Sequence, residues 1–361
     1  MASSEFIQPT TPTGRRSESV TALRRGCVIP AHPLALDSQR RLDERRQRAL
    51  SRYYLAAGAG GMAVGVHTTQ FKIHDPRCGL LEPVWQLARE EFDRAESAGN
   101  APLVRVAGIC GPTAQAVSEA ELAAKLGYQF GLVNLTSLGR NDVESMIDHC
   151  RLIGESLGLF GFYLQPAVGG IELSYTFWRR FCELDSASAI KVAAFDRYRT
   201  LDVVRAVADS GRRDIALYTG NDDNILLDLL TPYEFGENSL RFVGGLLGQW
   251  AVWTSQAVSL HRHCREIGDH GAVSAELLGL SANLTDANGA IFDAANRFRG
   301  CVPGIHEVLR RQGLLAGNWC LDEDERLSPG QAAEIDRVSK QYPCLSDDEF
   351  VRNNLAAWLS G

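Results

Sequence analysis

Lys191 stands in the middle of Ser188-Ala189-Ile190-Lys191-Val192-Ala193-Ala194, a run of small and β-branched residues carrying a single charge. Such a run reads as a buried strand of a parallel sheet covered on both faces. Lysine is almost never fully buried without a partner, and losing hydration disfavours its ammonium, so the pKa falls. A lysine held partly neutral in an apolar pocket attacks carbonyl carbons and forms a Schiff base. The heptapeptide alone also reads as an edge strand whose lysine snorkels to water. Two other groups of residues join it. Tyr163 closes an apolar run 28 residues earlier, and His67-Thr68-Thr69 follows the run Gly61–Val66. A hydroxyl-rich turn, a strand tyrosine and a buried lysine are the parts of imine chemistry. They supply an anion-binding hydroxyl and amide, an acid/base phenol and an amine nucleophile.

Elements must bring these together. Eight apolar runs (Cys27–Pro30, Gly61–Val66, Leu103–Ile109, Gly131–Leu135, Gly161–Leu164, Ile190–Ala194, Ile215–Thr219 and Leu240–Leu247) alternate with helix-period segments, clearest at Leu42–Ala57, Pro83–Ala98, Thr113–Leu126 and Val143–Leu157. That alternation predicts an α/β fold, a (β/α)8 TIM barrel over residues 26–270. A doubly wound open sheet is the alternative, but no GxGxxG follows the first run. Beyond Trp250 the pattern is helical only, which makes 271–361 a C-terminal helical extension packed on the outside of the barrel. Residues 1–25, rich in Ser, Thr, Pro and Arg, read as a disordered tail without the apolar core of a secretory signal. In a barrel, catalytic groups lie at the C-terminal ends of strands. That is where His67, Thr68 and Tyr163 fall, and where the turn Thr219-Gly220-Asn221-Asp222 follows the seventh run.

Composition narrows the function. The 361 residues are 45% hydrophobic and 22% charged with net charge −7, so no basic footprint for nucleic acid exists. No apolar run reaches the roughly 20 residues of a membrane span. Nine cysteines without CxxC spacing fit reduced thiols in a cytoplasm rather than a disulfide framework or zinc site. His261 and His263 form an HxH, but on a helix i and i+2 do not share a face, so no metal is expected.

Several motifs, in order over residues 26 to about 345, resemble the dihydrodipicolinate synthase / N-acetylneuraminate lyase family of class I aldolases. Gly65-Val66-His67-Thr68-Thr69-Gln70 is similar to the family's GTTGE segment, Tyr163-Leu164-Gln165-Pro166 to its YNxP, and Ile190-Lys191 to the IK of its Schiff-base strand. Thr219-Gly220-Asn221-Asp222 resembles its SGDD turn, Gly244-Gly245-Leu246-Leu247 its GxIS segment, and Pro303-Gly304-Ile305-His306 its PxxIK helix. The resemblance implies Lys191 as the imine-forming lysine, Tyr163 as the proton-transferring phenol and Thr68 as the carboxylate binder. Thr69, Gly220 and Leu246 are implied at the substrate site. It further implies a pyruvate-like 2-oxo acid, an aldehyde-type second substrate, no metal or organic cofactor, and a homotetramer or homodimer.

The departures shape the expectation. His67 replaces the family's first threonine, which passes a proton to the strand-five tyrosine, and an imidazole there would add a titration near neutrality. Gln70 replaces the glutamate of GTTGE, and Leu135-Thr136-Ser137-Leu138-Gly139 replaces PPYY. Val168 stands where the synthases place an arginine that clamps the aldehyde's carboxylate. The expected function is therefore a Schiff-base lyase that is not a true dihydrodipicolinate synthase. The alternative is a catalytically impaired homologue that binds 2-oxo acids or regulates.

Overall fold

The computed structural model describes residues 13–139 and 142–360. Eight parallel strands form the centre: β1 (Val28–Pro30), β2 (Gly61–Val64), β3 (Val104–Ile109), β4 (Phe130–Val133), β5 (Gly158–Leu164), β6 (Ala187–Ala193), β7 (Ala216–Thr219) and β8 (Phe242–Leu247). Their order is β1-β8-β7-β6-β5-β4-β3-β2, and a parallel bridge from Ala31 to Ala63 brings β1 against β2. The molecule is the (β/α)8 barrel that the spacing predicts, followed by C-terminal helices. Each of the eight runs overlaps its strand, with β4 beginning one residue and β5 and β6 three residues before the run. A short antiparallel hairpin, Tyr233–Phe235 with Asn238–Leu240, precedes β8.

Alternation divides the strands between two cores. Inward residues such as Ile29, Ala63, Val106, Phe130, Leu132 and Phe160 fill the barrel, and outward ones such as Val28, Val64, Leu159 and Val192 pack under the helices. Each large apolar side chain so buried contributes about 1.5–3 kcal/mol, and burial on both faces is why the runs show no polar alternation. Several loops end on side-chain caps that fix where the next helix starts. Asp43 accepts from Arg46 N, Ser174 from Phe177 N, and Asp196 from both Tyr198 N and Arg199 N.

Two organisational expectations are corrected. Residues 13–25 are a helix, not a disordered tail; residues 1–12 lie outside the described residues. Leu23 is fully buried in the barrel's interior core and its carbonyl accepts from Tyr218 Oη at 2.8 Å, while Ser19 Oγ donates to Leu103 O at 3.3 Å. One turn of apolar side chains (Val20, Ala22, Leu23) therefore plugs the bottom of the barrel, although the segment's overall composition is polar. The C-terminal region, in turn, is more than an outer coat. Its helix Asp348–Ser360 does pack outside, on Glu44–Ala56, where buried Arg52 makes a double contact with Glu91 and donates to Trp358 O. But Phe292, Phe298, Cys301 and Ile305 line the pocket at the C-terminal end of the strands. No helix of the described residues is long and apolar enough to cross a membrane.

Candidate active site

Lys191 lies on the inner face of β6, between Ala189 and Ala193, whose small side chains leave room for its chain. Its register partner on β5 is Phe162, and the Lys191 ammonium sits 4.5 Å from the centroid of that ring. Lys191 is 6% exposed. Burial lowers its pKa, opposed by the charges of Asp222 and Cys301. Gly220 must be glycine because the lysine passes so close: an added Cβ would fall 2.6 Å from Lys191 Cε and 2.8 Å from Ala193 Cβ.

Asp222 comes from the loop after β7. Its Oδ1 accepts from Gln249 N at 2.9 Å, and burial raises its pKa while Gln249 N and the Lys191 charge pull it down. Asn221 stiffens this loop. It donates to Asp228 at 2.9 Å and accepts the Phe195 N–H at 2.9 Å, tying the β7 loop to the β6 loop.

The β2 end is a single 3-10 turn, His67–Thr69. Thr69 Oγ1 accepts from the N–H of Gly65 and Val66 and donates to His32 O at 2.6 Å, so it clasps the turn. Thr68 and His67 line the pocket, and Thr68 Oγ1 is buried with no partner among the described residues. Burial, and then the Lys191 charge, push the His67 pKa down to about 4. The turn is braced by His74, whose Nδ1 meets Glu119 at 3.0 Å and whose Nε2 meets Gly65 O at 2.7 Å. A carbonyl can only accept and the carboxylate also accepts Cys110 N–H at 2.9 Å. His74 therefore donates from both nitrogens, as an imidazolium.

The pocket enclosed by these loops, about 530 Å³ counting its mouth, contains His67, Thr68, Lys191, Gly220 and Val168 of the expected site residues. Three others are elsewhere. Tyr163 points to the opposite face of β5, into the core under the helices, with its ring 5.8 Å from that of Trp178. The expectation that it reaches the lysine is corrected: adjacent strand residues face opposite sides, and Phe162 holds the inward position. Thr69 is the clasp already described. Leu246 is fully buried in the barrel interior and does not line the pocket. Residues that motif reasoning left out do line it, namely Phe162, Gln165, Phe195, Asp222 and the four C-terminal residues. Asp222 stands inside the quoted turn and could have been found by its strand-end position. Ile305 likewise stands inside the quoted Pro303-Gly304-Ile305-His306, whereas for Phe298 no local signal exists.

No family model matches the chain. N-acetylneuraminate lyase from Citrobacter koseri is 25% identical over 254 residues, covering 67% of this chain and 80% of that protein. A 4-hydroxy-tetrahydrodipicolinate synthase from Bifidobacterium longum is 24% identical over 209 residues, 57% of this chain and 63% of its own length. The structure of dihydrodipicolinate synthase from Oceanobacillus iheyensis superposes with TM-score 0.71 at 18% identity, over 90% of this chain and 99% of that one.

The chain is thus similar in sequence to N-acetylneuraminate lyases and dihydrodipicolinate synthases and shares their (β/α)8 barrel fold. The site carries an aromatic ring beside its lysine, a histidine at the β2 turn and Val168 in the pocket wall.

Proposed function

We propose that the protein is a Schiff-base lyase acting on pyruvate or a related 2-oxo acid. The observation that supports this most is Lys191 itself, a dehydrated lysine at the base of a pocket that also holds an unpartnered hydroxyl, Thr68 Oγ1. The neutral amine attacks C2 of the 2-oxo acid, the carbinolamine loses water, and the iminium acidifies the adjacent carbon so that an enamine forms. Thr68 receives the carboxylate. Asp222 and His67, the titratable neighbours that the lysine feels electrostatically, move the protons that Tyr163, turned outward, does not reach. Val168 offers no charge to a carboxylated aldehyde, so dihydrodipicolinate is not the product.

The experiment is borohydride trapping with pyruvate, read by intact mass, together with proton–deuterium exchange of the pyruvate methyl group followed by NMR. Wild type should give a reduced adduct and exchange; Lys191→Ala and Lys191→Arg should give neither, the guanidinium staying protonated at any working pH. Tyr163's outward placement favours a second reading, a homologue that binds 2-oxo acids without turnover. Trapping without exchange would select that reading.

A further inference from the structure

Two bulky residues of the pocket hold backbone conformations that side chains rarely adopt. Phe195 has φ 52° and Phe298 φ 63°, in the left-handed region where a non-glycine residue is strained and persists only when its surroundings impose it. Phe195 lies in the β6 loop, and Phe298 comes from the C-terminal region more than a hundred positions later. They nevertheless meet edge to face, with centroids 5.8 Å apart. Each is pinned: the Phe195 N–H donates to Asn221 Oδ1 at 2.9 Å and the Phe298 N–H to Asp293 O at 3.0 Å. Both line the pocket that holds Lys191, with Phe162, Phe292 and Val168. Strained backbone of this kind clusters at ligand sites, and here it holds two rings edge to face in the pocket wall, a surface on which a further flat apolar ring packs favourably.

The charge of the lining points the same way. Lys191 is the only Lys or Arg among the lining residues, and imine formation consumes its amine. His67 is neutral at neutral pH, and Asp222 adds an acidic group rather than a cation. A carboxylated or phosphorylated aldehyde would lose its hydration without gaining a counter-charge. A polyhydroxylated one would compete for the few polar groups (Thr68, His67, Gln165, Asp222) that the 2-oxo acid and the proton transfers need.

We propose that Phe195 and Phe298 together form an aromatic wall of the pocket against which an aromatic aldehyde packs as the second substrate. This rests on the lyase reading above. The enamine carbon derived from pyruvate forms the new carbon–carbon bond to the aldehyde carbon, the carbonyl π electrons move to oxygen, and that oxygen takes a proton. Water then hydrolyses the iminium, freeing Lys191 and a 4-aryl-4-hydroxy-2-oxobutanoate, so that pyruvate plus aldehyde equals product.

The test sets benzaldehyde against glyceraldehyde and succinic semialdehyde as acceptors with pyruvate, product measured by liquid chromatography and mass spectrometry. It is paired with saturation-transfer NMR of the same three aldehydes on the protein, which needs no turnover. Benzaldehyde should exceed both competitors about tenfold in kcat/KM and give the strongest transfer. Phe195→Leu and Phe298→Leu, which keep apolar volume, should raise its KM about tenfold while borohydride trapping of pyruvate at Lys191 and the melting temperature persist. Trapping intact with no benzaldehyde preference in either measurement overturns the aromatic site and leaves the lyase reading standing. Absent trapping overturns the lyase reading; a benzaldehyde-selective transfer signal lost in both leucine variants then still supports the aromatic site, and its absence overturns that too.

Discussion

Phe162, and not the neighbouring Tyr163, is the residue that β5 presents to Lys191: the ammonium lies 4.5 Å from the Phe162 ring centroid, while the Tyr163 ring packs 5.8 Å from Trp178 on the other side of the sheet. The arrangement places a dehydrated amine against an aromatic face, which tolerates the cation modestly and offers no proton. Proton traffic then passes to Asp222 and His67.

Tyr163→Phe should therefore leave pyruvate deuterium exchange within about threefold of wild type, and the melting temperature nearly unchanged, because the ring still fills its place against Trp178. A loss of roughly 100-fold, the size expected for a general acid or base, would restore Tyr163 to the reaction.

Asp222→Asn removes the largest charge that holds the Lys191 proton on. Without it, burial lowers the amine's pKa further, so the pH above which trapping becomes fast should move toward acid by about one unit. An unmoved or alkaline-shifted limb would show that Asp222 does not act on the lysine.

The neutral titration expected of His67 is revised by its surroundings. Burial and Lys191 push it down to about 4, so its NMR ring resonance should stay flat between pH 5.5 and 8. An unfolded histidine takes up its proton near 6.5. The neutral folded form thus contributes stability above that pH, and the contribution is lost as pH falls toward 4. His32 and His306, also pushed down to about 4 by burial, add to the same acid sensitivity. His67→Thr should lose less stability between pH 7 and 4.5 than wild type, read from urea midpoints. Equal losses would remove His67 from the acid response.

His74 has the opposite sign. Burial works against its cation, but the Cys110 sulfur and the Glu119 carboxylate outweigh that and push it up to about 10. Its stabilisation is fully present below 6.5 and is lost as pH rises toward 10. His74→Leu leaves the buried Glu119 charge unpaired at a cost of about 3–5 kcal/mol. The difference in stability between wild type and variant should shrink from pH 6 to pH 9. A constant difference would mean that the imidazole is neutral.

The amino-acid sequence by itself determined the barrel and the place of its lysine. Eight runs buried on both faces, spaced by helical patterns, leave few other architectures. One charge within such a run is legible because nothing else in the strand could need it. The clustering of His67, Thr68, Gly220 and Val168 was legible too, since strand ends converge in a barrel. Which face each side chain takes was decided only by the tertiary structure. β5 alternates without a break, with Phe160, Phe162 and Leu164 inward and Tyr163 outward, while β6 carries one extra residue, Ser188, opposite the step from Leu159 to Phe160. In a run apolar on both faces the motif that held Tyr163 could not tell which neighbour faces in. The contribution of Phe292, Phe298 and Cys301 was likewise invisible. It depends on a chain segment that returns over the barrel mouth from far along the sequence, a long-range contact with no local pattern. The same holds for Leu23: one buried side chain on a short helix outweighs a polar composition only when a barrel end is there to receive it.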